Sequence, residues 1–157
     1  MGIIRIRVYC AALFAVLMFA DLSTVVFAQS PSCSCPGIHV KILNIRNRNG
    51  TVGCALFDSP EGFPRDYLLS AQNVMVIKVR YTEARCDFEA IPPGTYALAV
   101  IHDENSSGKL ETNWLGIPTE GYGFSNDAKA VFGTPSFDAA SFPYDGQTLD
   151  LTISLHY

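Results

Sequence analysis

Apolar and polar residues alternate one by one along much of residues 38–102 and again near residue 150. Ile38, Val40 and Ile42 flank His39 and Lys41, and Thr51 to Phe57 places Val52, Cys54 and Leu56 on one face. Asn73 to Tyr81 is rich in β-branched residues, with Val74, Val76, Ile77 and Val79. Cys86 to Ile91 sets Cys86, Phe88 and Ala90 on one side, and Thr95 to His102 opposes Tyr96, Leu98 and Val100 to Ala97, Ala99 and Ile101. Last, Leu149, Leu151, Ile153 and Leu155 point away from Asp150, Thr152, Ser154 and His156. Successive side chains of a strand face opposite ways, so this period predicts six strands, each with an apolar face. Asn49-Gly50 predicts a hairpin between the first two strands, and Pro92-Pro93-Gly94 predicts a turn before the fifth. Single helical turns are expected at 66–71 and 138–142, but no segment sustains a helical period. Half-apolar sheets bury their faces against each other, so the expected fold is an all-β, antiparallel sandwich, with a closed barrel as the alternative. Asp103 to Gln147 holds no strand signal, yet carries Trp114, Tyr122, Phe124, Phe132, Phe137, Phe142 and Tyr144. So aromatic a stretch is expected to be one long ordered loop region.

The beginning of the chain changes the picture of where the domain works. Arg5 and Arg7 precede an apolar run from Val8 to Ala20, and Val26-Phe27-Ala28 offers small-residue cleavage before Gln29. This pattern predicts a signal peptide over residues 1–28, too short for a spanning helix, and hence a periplasmic or secreted protein with no membrane span after cleavage. The rest divides into a cysteine-containing segment, 29–36, and a sandwich domain, 37–157. Without residues 1–28, nine Lys and Arg face fourteen Asp and Glu, a net charge of −5. An acidic surface without a basic cluster repels phosphate, so no nucleic-acid partner is expected.

Cys33, Cys35, Cys54 and Cys86 remain after cleavage, an even number that favours disulfides in an exported chain. A direct Cys33–Cys35 bridge is disfavoured because one intervening residue strains it. The two other pairings tie the Cys-Ser-Cys segment to Cys54 and to Cys86. Zinc would want close pairs of ligands, and neither Cys54 nor Cys86 has a near partner.

Candidate chemistry lies in the loop region. Asp103, Asn105 and Ser107 alternate ahead of Gly108, followed by Lys109 and Glu111. Calcium loops use this spacing because alternate oxygens converge on one cation while glycine permits the turn. The position that would need a bidentate acid is Trp114, and the competing reading is an Asx-rich turn bonding its own amides. Downstream, Trp114, Glu120, Tyr122 and Phe124 lie among Gly116, Gly121 and Gly123. They are either a platform for a sugar or peptide, or a packed lid over one end of the sandwich.

The run His102-Asp103-Glu104-Asn105, then Gly108-Lys109-Leu110, Asn113, Gly116-Ile117-Pro118 and Glu120 to Asn126, resembles the bacterial exported family catalogued as domain of unknown function 2141. Pro93 to Ala97 and Pro135-Ser136-Phe137, with Ala140 and Phe142, share the resemblance, which runs from about Gly37 to Tyr157. Glu111 departs from the aspartate such proteins often carry. The resemblance implies an immunoglobulin-like or transthyretin-like sandwich in the cell envelope, with one N-terminal cysteine pairing near Cys86. It brings no catalytic residue.

Enzyme readings find little support. Gly123-Phe124-Ser125-Asn126-Asp127 departs from the nucleophile elbow, and the carboxylates of Asp103, Glu104, Glu111 and Glu120 share a loop without a defined pairing. The chain ends Ser154-Leu155-His156-Tyr157, not in the Tyr-Arg-Gly-Ser signature of transthyretin-like hydroxyisourate hydrolases. His102 is expected to bond into the loop, with His39 and His156 exposed on strands. The sequence thus points to a non-enzymatic envelope accessory or binding module with an unknown envelope ligand or protein as partner, and with Ca2+ as its one candidate cofactor. The alternatives are a carbohydrate or peptide binder using residues 114–124 and a hydrolase using the loop carboxylates.

Overall fold

The computed structural model describes residues 35–130 and 133–157, so the expected signal peptide, Cys33 and Phe132 lie outside it. Eight strands follow one another among the described residues: β1 (Gly37–Leu43), β2 (Thr51–Phe57), β3 (Asn73–Lys78), β4 (Ala84–Glu89), β5 (Gly94–Asp103), β6 (Gly121–Phe124), β7 (Phe142–Tyr144) and β8 (Thr148–Ser154). Two short helices, α1 (Tyr67–Ser70) and α2 (Phe137–Ala140), fall where single helical turns are expected. No described helix is long and apolar enough to cross a membrane.

The strands form two sheets, one ordered β4-β1-β8 and the other β3-β2-β5-β6, with β7 also on β5. Their facing sides enclose the main core of Ile38, Val40, Ile42, Val52, Leu56, Phe88, Leu98, Val100, Ile153 and Leu155. This is the expected sandwich, with three differences. β1 and β8 run parallel, Gly37 opposite Thr148, so the pairing is not antiparallel throughout. β1 and β2 lie in different sheets, so Asn49-Gly50 is a crossing and not a hairpin turn. Gly50 sits at φ +63°, and a Cβ there would lie 1.9 Å from the Asp103 carbonyl oxygen. The glycine is needed for that approach, which a turn signal does not distinguish from a hairpin. Finally, Ala90 does not continue the face of Cys86 and Phe88, because its φ of 55° turns the chain out of β4.

Two strands lie within the region expected to be loop. β6 and β7 are short and carry Gly121, Gly123 and Pro143, which blunts any strand signal. Both pair with the far edge of β5, β7 along Gly94–Tyr96 and β6 along Ala99–His102. β5 thus has a partner along both edges, and from Tyr96 onward a core lies against each of its faces. Its large residues enter the sandwich, while Ala97 and Ala99 lie under a second core with Phe57, Phe124 and Ala140, against which Phe63, Tyr67 and Phe137 pack.

A disulfide joins Cys54 of β2 to Cys86 of β4 and so ties one sheet to the other. This corrects the pairing of the N-terminal cysteines with Cys54 and Cys86. Both strands turn these side chains into the same core, and Cys35 is an exposed free thiol. His39 is also not the exposed strand residue expected. It is buried, 2.6 Å from Asp87 Oδ1 and 3.2 Å from the Cys35 carbonyl oxygen.

Candidate functional site

β5 ends at Asp103, and the chain makes an excursion before returning as β6. Asp103 is buried, its Oδ1 accepting the Ser107 N–H (2.9 Å) and its Oδ2 the Gly108 N–H (2.7 Å). Asn105 Oδ1 accepts the Ser107 N–H as well, and Ser107 Oγ donates to the Lys109 carbonyl. The Asp103 and Asn105 oxygens that the calcium reading assigns to an ion are therefore engaged by the loop's own amides, as in an Asx turn. Among the described residues no group of three or more His, Cys, Asp or Glu is placed to hold a metal ion.

Glu120 is buried at the base of the excursion, with Oε1 accepting the Glu104 N–H (2.9 Å) and Oε2 the Glu111 N–H (3.1 Å). One carboxylate thus pins both sides of the loop, so Glu120 is a fastening and not a ligand-facing group. The neighbouring Glu104 side chain pairs with Arg46 and accepts from Asn47 Nδ2 (2.6 Å). Burial would raise the Glu104 pKa, but the hydrogen bonds from Asn47 and Arg46 and the Arg46 charge outweigh it and hold the carboxyl below its ordinary value. Arg46 also donates to the Thr119 carbonyl (3.1 Å) and lies 4.4 Å from the centre of the Tyr157 ring. Tyr157 Oη accepts the Arg46 N–H (3.0 Å) and donates to His102 Nδ1 (2.8 Å), which leaves Nε2–H to donate to the Asn49 carbonyl (2.9 Å). Burial, and then the Glu104 charge, raise the Tyr157 pKa.

Arg46, Asn47, Asn49 and Tyr157 escape sequence reasoning because their partners are 53 to 111 residues away for all but local contacts. His102, expected to bond into the loop that follows it, bonds instead to Tyr157 and to the Asn49 carbonyl, which only the folded chain brings near. Ser125 is buried, accepting the Leu98 N–H and donating to the Ala140 carbonyl, so its hydroxyl fastens β5 to α2.

Between Glu111 and Thr119 the chain forms a self-bonded hairpin. Thr119 N–H donates to Glu111 O (2.9 Å), Asn113 N–H to Ile117 O (2.8 Å) and Gly116 N–H to Asn113 O (2.9 Å). Asn113 Oδ1 accepts from the Leu115 and Ile117 amides, and Gly116 takes the positive φ that the tight turn requires. Pro118 carries no N–H. At the tip, Trp114 is 89% exposed, Leu115 59% and Ile117 54%. The aromatic platform does not assemble, since Phe124 is buried in the second core and Tyr122 packs on Phe124 and His156. Of those three aromatics only Trp114 projects, now beside two aliphatic residues that the platform reading passed over.

A shallow groove of about 80 Å³ lies on the outer face of the larger sheet, lined by Gly53, Pro64, Tyr67, Val74, Val76 and Ile101. Asp103 also lines it with both oxygens engaged, and the Tyr67 hydroxyl donates to the Gly108 carbonyl. Burial and the Asp103 charge raise the Tyr67 pKa. The groove is mostly apolar and suits a small apolar group.

No curated protein and no solved structure matches the chain. A family model described as an uncharacterized protein conserved in bacteria matches residues 40–152, which takes in β2 to β7, most of β1 and β8, and the whole 103–120 excursion. The chain belongs to that bacterial family, domain of unknown function 2141.

Proposed function

We propose that this protein is an exported, non-enzymatic binding module that engages an apolar surface through the tip of the 111–119 hairpin. The observation that carries the reading is the exposure of Trp114, Leu115 and Ile117 on a turn whose amides bond within the hairpin. Single exposed apolar residues are ordinary, whereas three together on a stiff projection mark an interaction site. Export is supported by the basic and apolar pattern of residues 1–28 and by the Cys54–Cys86 disulfide, a bond of oxidising compartments. Against hydrolysis stand the fixed engagements of the loop carboxylates. Asp103 and Glu120 hold backbone amides, Glu104 holds Arg46, and both His102 nitrogens are occupied. The same engagements leave calcium out of the reading.

Trp114 is the sole tryptophan, so intrinsic fluorescence reports the tip directly. Mixed with a bacterial envelope fraction containing membranes and their proteins, the folded protein should sediment with it and its emission should shift to the blue. Leu115→Ser and Ile117→Ser variants should lose most of that association while melting at the same temperature. Emission that stays at its water-exposed position, with no sedimentation, would eliminate the reading.

A further inference from the structure

Resting on the hairpin tip as the binding element, we infer that the surface it engages is the interfacial zone of a lipid bilayer, entered reversibly by Trp114, Leu115 and Ile117. Area is the first argument. Three such side chains offer roughly 400 Å² of apolar surface, taking about 200 Å² for an aromatic and half that for each aliphatic. A stable protein interface needs about 800 Å² from each partner, so the tip alone is too small to be one. The same few side chains suffice for weak interfacial partition, a regime in which a single lipid chain already gives reversible binding.

Backbone chemistry is the second argument. A segment that leaves water loses the solvent that satisfies its amides, and every unpaired amide is costly in hydrocarbon. Here Asn113, Leu115, Gly116, Ile117 and Thr119 donate inside the hairpin, and Pro118 has nothing to donate. Those bonds survive desolvation of the tip, and among residues 113–119 only the Trp114 N–H is left to be satisfied by the water that remains at the headgroup boundary. Composition is the third. Residues 112–118, Thr-Asn-Trp-Leu-Gly-Ile-Pro, contain no charged side chain. Tryptophan favours the headgroup boundary, where its ring is in contact with lipid and its N–H with water. The remainder of the chain is acidic, so attraction to anionic lipid supplies none of the binding and the apolar tip must supply all of it.

Protein-free vesicles of phosphatidylcholine provide the test, with the full exported protein and its disulfide intact. Emission from Trp114 should shift to the blue on adding vesicles, and lipids brominated near the headgroup should quench it more than lipids brominated deep in the chain. Leu115→Ser and Ile117→Ser should each weaken partition about tenfold, the loss expected for one large apolar side chain. Raising salt to about 0.5 M should leave partition unchanged, because no ion pair contributes. Adding phosphatidylglycerol should weaken it. Trp114→Ala, followed by sedimentation, should lose binding while thermal melting shows an intact fold. Vesicles that leave the emission unchanged overturn the lipid inference, as does partition that the tip variants do not alter. If the envelope fraction still binds through the tip in that case, the binding-module reading stands and the partner is a protein or glycan. If neither preparation binds, both readings fall.

Discussion

Single side chains close the 103–120 excursion, and each does so by accepting amides that would otherwise face a poorly hydrated loop interior. Glu120 is the plainest case, with one oxygen for Glu104 and the other for Glu111. In a Glu120→Gln variant an amide group replaces one of these acceptors and confronts a donor with a donor. The expected cost is about 1–3 kcal/mol, read from urea unfolding, with the sandwich otherwise unchanged. Glu104 adds a pH dependence. Its carboxyl is held below the ordinary value of 4.5 in the folded chain, so on acidification the unfolded chain binds the proton first. Its contribution is complete above about pH 4.5 and is lost as the pH falls through the lowered folded value. Glu104→Gln should therefore be less stable than the parent at neutral pH, and the difference should shrink progressively below pH 4.5. A constant difference across that range would rule the assignment out. The spacing of Asp103, Asn105 and Ser107 was legible as an Asx turn because its bonds are local. Glu120, Arg46 and Tyr157 were not, since what they do depends on partners that only the folded chain brings near.

At the level of elements, period-two alternation locates every strand that contributes a full apolar face to the main core. β6 and β7 fall below that signal, because glycine and proline occupy the positions that β-branched residues would mark, and because pairing with the already formed β5 supplies what their own sequence lacks. Strand order was less legible than strand position. An Asn-Gly step is compatible with a hairpin, but whether its flanking strands pair depends on which edges later strands occupy. β4 and β8 take both edges of β1, and β2 goes to the other sheet. The Cys54–Cys86 bridge is the covalent counterpart of this division, closing a separation of 32 residues between the sheets. On the chain-entropy model it contributes about 4 kcal/mol. Cys54→Ala with Cys86→Ala should lower stability by roughly 2–4 kcal/mol in denaturant titration, whereas Cys35→Ser should leave the midpoint where it is.

For the molecule as a whole, the decisive bond pattern is the parallel union of β1 with β8, which sets Gly37 beside Thr148 and Leu43 beside Ser154. Ile153 and Leu155 enter the same core as Ile38, Val40 and Ile42, so the smaller sheet and the closure of the sandwich both depend on the last ten residues. A chain truncated after Gln147 should lack near-ultraviolet dichroism and a cooperative melt, and a sharp transition in that fragment would contradict this dependence. Synthesis at about 5–20 residues per second separates the emergence of the two strands by roughly 5–20 s. Throughout that interval the nascent polypeptide holds its first strand without one of its two neighbours. A polypeptide so obliged to wait stays pliant for nearly the whole of its manufacture, and it stiffens only when its tail arrives.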